Sequence, residues 1–239
     1  MGMSEWGDFW KDQKNSFHEI MKISTSYFAS QLEKKAGVKP GDEILDYGCG
    51  PGFLSDHLEV RGIKITGADI NNLFVEQGRK SHSASLFVVI TTDTTRNKEI
   101  LDTHLNSKKF DFIVLLSIVQ YFKNVSTLES VISMLRTFLK EDGKIIIADV
   151  IDQNTSAIKD ATVLFFHCVR RGKIIAFFRF IFYLLASDYR SLNRNINLLQ
   201  VPESSMYHIA KSNSLYCKKI SGLTLHPSRA NYILKKEGS

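Results

Sequence analysis

Cysteine is scarce in this chain of 239 residues. Cys49, Cys168 and Cys217 are an odd number, lie far apart, and form neither a C-x-x-C pair nor a Cys/His spacing suited to a metal. That pattern argues for a reducing compartment and against a zinc site. A long apolar run is lacking too. The most apolar stretch, Ile174 to Ser187, is interrupted by Arg179 and is too short to span a bilayer. The first eight residues carry Glu5 and Asp8, with no basic segment followed by an apolar one. No signal peptide is therefore expected, and the cytoplasm is the expected location. No block of five or six like charges occurs, and Lys and Arg are scattered, so the formal charge of +6 does not indicate a nucleic-acid tail. A mildly basic surface is the plain reading of that charge, and an acidic partner or anionic substrate the sharper one.

What is present is ordinary for a soluble globular protein: 44% apolar and 23% charged residues, without internal repeats. One domain is expected, with an N-terminal helical cap (1–38), a core (39–150), a helical insertion (151–205) and a C-terminal helix and strand hairpin (206–239). Apolar residues over 4–36 recur at spacings of three and four, which predicts helix. Ser16 with Glu19 reads as a capping box within it, and Gly37 with Pro40 as its end. From Asp42 onward, strands predicted at 43–47, 63–68, 86–90, 110–116 and 143–149 alternate with helices at 53–61, 71–80, 97–105 and 125–140. Apolar strands separated by helices imply a doubly wound α/β fold with a mostly parallel sheet. Residues 215–236 predict two further strands around a short turn at His226–Ala230, which makes the last strand antiparallel.

The turn after the first strand reads Gly48-Cys49-Gly50-Pro51-Gly52. Between a buried strand and a helix, such glycines let the backbone turn sharply and approach a ligand. Dinucleotide enzymes use a similar turn, but their G-x-G-x-x-G fingerprint needs a third glycine where this chain has Phe53. Asp46 lies inside the strand, two positions before the turn. A carboxylate there repels a pyrophosphate and attracts an amino group and a sulfonium, which favours S-adenosylmethionine over a nicotinamide dinucleotide. Asp69, at the end of the second strand, is placed to accept hydrogen bonds from ribose hydroxyls.

Over residues 40–150, and more loosely to its end, the chain resembles the class I S-adenosylmethionine-dependent methyltransferases. Ile44 through Gly52 match that family's first motif, and Asp69 occupies its second acidic position. The resemblance implies a Rossmann-like sheet of seven strands with the last antiparallel. It also implies a cofactor site built from Asp46, Gly48, Cys49, Gly50, Gly52, Asp69, Ile70, Asp93, Thr94, Ser117 and Tyr121, with Asp93 and Thr94 at the adenine. The metal-assisted catechol-methylating subgroup places a metal-binding Asp just after the fourth strand, where this chain has Ser117-Ile118-Val119-Gln120, and Asp149 with Asp152 are too few ligands for Mg²⁺, so no metal is expected. The Asn/Asp-Pro-Pro-aromatic motif of amino-methylating nucleic-acid enzymes is absent, so no nucleic acid is expected.

No residue stands out as catalytic: His18, Tyr27, Tyr121, His167 and His208 read at least as well as packing or surface residues. The insertion holds two apolar segments, Ala161–Val169 and Ile174–Leu185, around Arg170-Arg171-Gly172-Lys173. A helical lid packed on the sheet is the first reading. A pocket for a hydrophobic acceptor is the second, and a dimer interface the third; contact with a membrane surface or an acidic carrier protein stays open. The expected function is methylation of a small, hydrophobic or aromatic metabolite by a monomer or homodimer. An RNA- or protein-directed methyltransferase and a cofactor-binding relative without turnover are the alternatives.

Overall fold

The protein's structure is a computed structural model, and it describes residues 18–186 and 198–237. Helix α1 (His18–Gln31) continues through a wide turn at Leu32–Ala36 and stops at Gly37, whose φ of +82° suits glycine and whose N–H closes onto the Leu32 carbonyl. The capping box expected at Ser16 lies outside the described residues. There follow β1 (Glu43–Tyr47), α2 (Phe53–Leu58), β2 (Lys64–Asp69), α3 (Asn72–Ser81), β3 (Leu86–Val89), α4 (Thr94–Leu105) and β4 (Phe110–Leu116). Next come α5 (Val125–Arg136), β5 (Leu139–Val150), α6 (Ala157–Arg170), α7 (Ile174–Ala186), α8 (Glu203–Ser212), β6 (Leu215–Ile220) and β7 (Ala230–Lys236).

The seven strands form one sheet in the order β3-β2-β1-β4-β5-β7-β6. β1 to β5 pair in parallel, and β7 runs antiparallel between β5 and β6. The expected fold class and its reversed last strand are both present. Period-two alternation assigns each strand's residues to one layer or the other. Leu45, Ile113, Ile145 and Ile147 join Leu101, Val131 and Leu135 of α4 and α5 on one side. Ile44, Val114, Ile146 and Ala148 join Phe28 and Leu32, at the N-terminal end of the chain, and Leu54 of α2 on the other. The order of connection reverses between β1 and β4, and open α/β sheets hold ligands outside the strand ends at such a point.

Three boundaries differ from expectation. The helix expected over 125–140 ends at Arg136, because Leu139 already pairs with Phe110 and β5 begins four residues before the expected 143. The register shifts by a bulge there, and the Lys140 ammonium reaches the Asp111 carboxylate at 2.8 Å. The helix expected from 97 begins at Thr94, because Asp93 caps it by accepting from the Thr95 and Arg96 amides. The turn at His226 is not short: residues 221–229 all lie between β6 and β7.

The two described helices of the insertion pack on α1 and on the loop between β6 and β7. Leu164 and Cys168 of α6 and Ala176 and Phe177 of α7 pack against Ile20 and Ile23 of α1 and Leu225 of the β6–β7 loop. This puts the helix pair beside the sheet's C-terminal edge.

Candidate active site

A cavity of about 630 Å³ opens at the carboxyl ends of β1, β2, β4 and β5. Of the eleven cofactor residues expected from sequence, nine line it: Asp46, Gly48, Cys49, Gly50, Asp69, Ile70, Thr94, Ser117 and Tyr121. Gly52 does not. It begins α2 at φ +88°, and a Cβ there would stand 3.2 Å from His82 and 3.3 Å from Phe87, so its task is to let helix, strand and turn close together. Asp93 does not line the cavity either; its carboxylate is exposed and occupied as the cap of α4.

The glycine turn is fastened from β2. The amides of Gly48 and Cys49 both donate to the Ala68 carbonyl, at 2.7 and 3.1 Å. Asp69 Oδ2 accepts from the Gly50 amide at 2.8 Å, and its Oδ1 accepts from the Asn71 amide at 2.8 Å. Asp69 is thus a strut for the turn as well as a wall residue. Burial raises its pKa, against the opposing pull of those amides.

Asp46 has no such support. It is 3% exposed, and no described residue donates a hydrogen bond to its carboxylate. Burial, followed by the charge of Asp69, pushes its pKa up to about 7. A buried acid without a partner in a cavity wall is costly unless a cation or donor arrives with the ligand. Gln120 adds to this. Its Nε2 donates to the Ser117 carbonyl at 2.7 Å, while its buried Oε1 has no partner among the described residues. The buried Ser24 Oγ, from α1, is likewise open in the same wall. Burial also pushes the Cys49 thiol well up, which removes it as a nucleophile.

This donor set fits S-adenosylmethionine. Carboxylates and open acceptors in this wall suit its ammonium, sulfonium and hydroxyls. The close backbone fits as well: a Cβ on Gly48 would lie 2.5 Å from Ile118.

Opposite these groups is a cluster that sequence reasoning missed. His226 Nδ1 donates to Asp149 Oδ1 at 2.8 Å, and Ser117 Oγ donates to Asp149 Oδ2 at 2.7 Å. Ser117 and Asp149 end the neighbouring strands β4 and β5, at φ +56° and +66°, a conformation that costs a non-glycine residue energy and clusters at functional sites. The Asp149 amide is held by Asn231 Oδ1 at 3.0 Å. Arg229, on the same loop as His226, pairs with Asp160 of α6 at 3.1 Å, and the Ser228 amide donates to Asp160 as well. Burial acts against charge on His226, but the Asp149 carboxylate outweighs it and the pKa rises. Burial likewise opposes charge on Asp149; the His226 cation, its hydrogen bond and Arg229 reverse this and hold it well below the usual carboxylate range. An ionised Asp149 can only accept, so Nδ1 carries a proton and Nε2 is the nitrogen left for chemistry. No described residue hydrogen-bonds Nε2, and the side chain lines the cavity. Nothing in the sequence marked it, because the stretch around His226 reads as a short turn between two strands.

The other base candidates lie elsewhere. His208 is exposed on α8. His167 packs edge-on against Tyr27 with ring centroids 6.0 Å apart. His18 packs edge-on against Phe53 at 5.3 Å. Tyr121 stays at the cavity wall. Among the described residues, no group of three or more His, Cys, Asp or Glu could hold a metal.

Fold and site together define a class I, Rossmann-like methyltransferase scaffold. The chain belongs to the methyltransferase domain family, whose model matches residues 17–198. A ubiquinone biosynthesis O-methyltransferase of Haemophilus ducreyi is 27% identical over 143 residues, covering 59% of this chain and 58% of that protein. One of Glaesserella parasuis is 28% identical over 145 residues, with the same coverage. The match therefore spans less than two thirds of these relatives' length. In structure, magnesium protoporphyrin IX methyltransferase of Synechocystis, solved with bound S-adenosylmethionine, superposes with a TM-score of 0.61 at 13% identity, covering 99% of this chain and 98% of that one. A TehB-like methyltransferase of Corynebacterium glutamicum gives 0.57 at 16% identity, over 88% of each chain.

Proposed function

We propose that the protein transfers a methyl group from S-adenosylmethionine to a hydroxyl oxygen of a small, apolar acceptor. The observation that carries this is the His226–Asp149 pair facing the same cavity as Asp46 and Asp69. Bound S-adenosylmethionine supplies a methyl group already activated by its sulfonium. The protein's part is alignment, exclusion of water, and removal of the acceptor's proton.

Asp46 takes the donor's cationic part and Asp69 its ribose hydroxyls, while Ile70 and Thr94 stand at the adenine. Gly48 and Gly50 bring the backbone close. A hydroxyl must lose its proton on methylation, so an oxygen acceptor needs a base where a thioether sulfur, which carries no proton, does not. His226 takes that proton at Nε2, and Asp149 keeps the ring oriented and stabilises the imidazolium. Leu164, Phe180, Ile181 and Leu184 of α6 and α7 give the acceptor an apolar wall. The names of the Haemophilus and Glaesserella relatives agree with oxygen as the accepting atom.

The test is a panel of phenols and aliphatic alcohols of rising apolar size, incubated with the protein and S-adenosylmethionine. Methyl ether products and equal amounts of S-adenosylhomocysteine are expected. No methyl ether from any member of the panel, with methylation instead of amines or thiols of matching apolar size, would sink this reading.

A further inference from the structure

The cavity uses the inner faces of α6 and α7; their outer faces face solvent. On α6 the outward residues include Ile158 and Phe166, 81% and 57% exposed, and on α7 Ile175, Phe178 and Phe182, at 74%, 59% and 73%. These are large side chains at helical spacing, not isolated exposed residues. The two stripes are continuous, because the Phe165 ring lies 5.6 Å from Phe166 and 6.4 Å from Phe178.

The exposed charges on the two helices have one sign. Residues 157–186 contain Lys159, Arg170, Arg171, Lys173 and Arg179, and Asp160 is their single carboxylate. Asp160 is buried and committed to Arg229. Arg170, Arg171 and Lys173 sit together where α6 turns into α7, and all three are exposed. Lys173 is 3.6 Å from Glu19, itself exposed, an arrangement too wet to cancel the cluster.

We propose that the outer face of α6 and α7 docks on the surface of an anionic lipid bilayer. Aromatic and branched side chains beside Lys and Arg, without carboxylates, match the interface of acyl chains and acidic headgroups. Arg179 can extend its guanidinium to the headgroups while its stem stays among apolar neighbours. Charge also argues against a second copy of the chain, since this face carries five cations and offers its own copy no exposed carboxylate to pair with them. Among the described residues no helix is long and apolar enough to cross a membrane, so the contact is with the surface.

Phe180, Ile181 and Leu184 of the docked α7 also line the cavity. Docking therefore brings the cavity beside the acyl layer, where an apolar acceptor is concentrated. That delivery rests on the acceptor proposed above; docking itself does not.

The test is co-sedimentation of the full chain, without methyl donor or acceptor, with phosphatidylcholine vesicles and with vesicles containing phosphatidylglycerol. Binding to the anionic vesicles should exceed binding to the neutral ones about tenfold and weaken with salt. Phe178→Asp should lower the partition about tenfold, and Arg170→Glu with Arg171→Glu should abolish the lipid preference, with melting temperatures unchanged. Should Phe178→Asp not fold, the more exposed Ile175→Asp takes its place. Equal binding to both vesicle types, or a mutant that partitions like the parent, would overturn docking. So would a concentration-dependent dimer that Phe178→Asp dissolves, which would make this face a subunit contact.

Discussion

His226 Nδ1 lies 2.8 Å from Asp149 Oδ1, across 77 residues of chain. The bond joins the loop between the last two strands to the end of the fifth, and it leaves Nε2 as the one ring nitrogen able to act on a ligand. Ser117, on the other oxygen of Asp149, fixes the carboxylate from the fourth strand. Three separate elements thus set the orientation of one imidazole.

His226→Gln should therefore lower kcat by about 10²- to 10⁴-fold, the usual worth of a positioned base, while donor affinity changes little. Calorimetry for binding and product formation for turnover separate the two. Equal losses in both would mark His226 as structural.

The pH profile follows from the same pair. Only neutral His226 accepts a proton, and Asp149 raises its pKa, so kcat/KM should rise with pH and level off above the ordinary histidine value of about 6.5. Asp149→Asn removes the carboxylate and should shift that inflection down. An inflection that does not move would detach Asp149 from the base.

Stability carries the opposite dependence for the two partners. The raised His226 pKa stabilises the fold fully below about 6.5, and that contribution fades as pH rises through the folded-state pKa. The lowered Asp149 pKa stabilises above the ordinary carboxylate value of about 4 and is lost only in strong acid. Melting temperatures of the parent and Asp149→Asn across pH should diverge most between these limits.

Asp46 provides a separate test on the donor side. Its pKa of about 7 means that a cation must bind to the ionised form in competition with a proton. Affinity for S-adenosylmethionine should drop about tenfold per pH unit below 7 and level off above it, with proton release on binding near pH 7. Asp46→Asn should abolish the pH dependence. Titration in buffers of different ionisation enthalpy measures both.

Asp69→Ala should weaken donor binding by about 1–3 kcal/mol through the loss of charge-assisted hydrogen bonds. The same change leaves the amides of Gly50 and Asn71 without their acceptor, so the melting temperature should fall even without ligand. Gly48→Ala should also destabilise, by about 1–3 kcal/mol, since it combines a left-handed backbone with a Cβ 2.5 Å from Ile118. Ile118→Ala in that background should recover the steric part alone.

Most of the sheet was legible because its signals are local. Ile44 and Leu45 of the first strand, the glycines after it, and Asp69 at the end of the second strand fall within 26 residues, and strand, turn and helix are each encoded by neighbours in the chain. Where short-range signals competed, expectation failed by a few residues. Leu139 reads as the continuation of a helical face, yet it pairs with Phe110 because β4 lies beside it. Asp93 reads as a ligand residue, yet the open amides of α4 claim it first.

The sequence by itself determined the doubly wound sheet, the glycine turn and the acidic residues Asp46 and Asp69, since these rest on spacing and on the conformational freedom of glycine. The His226–Asp149 pair, the apolar wall and the exposed face of α6 and α7 were decided by tertiary structure. Asp149 and His226 meet only because the reversed strand β7 carries its preceding loop back to the end of β5. Which face of α7 meets solvent was poorly marked in the sequence, because the helix is apolar at every position but Arg179 and one polar residue sets the phase only weakly. Packing against α1 supplied that phase, burying Ala176 and Phe177 and leaving Phe178 and Phe182 outside.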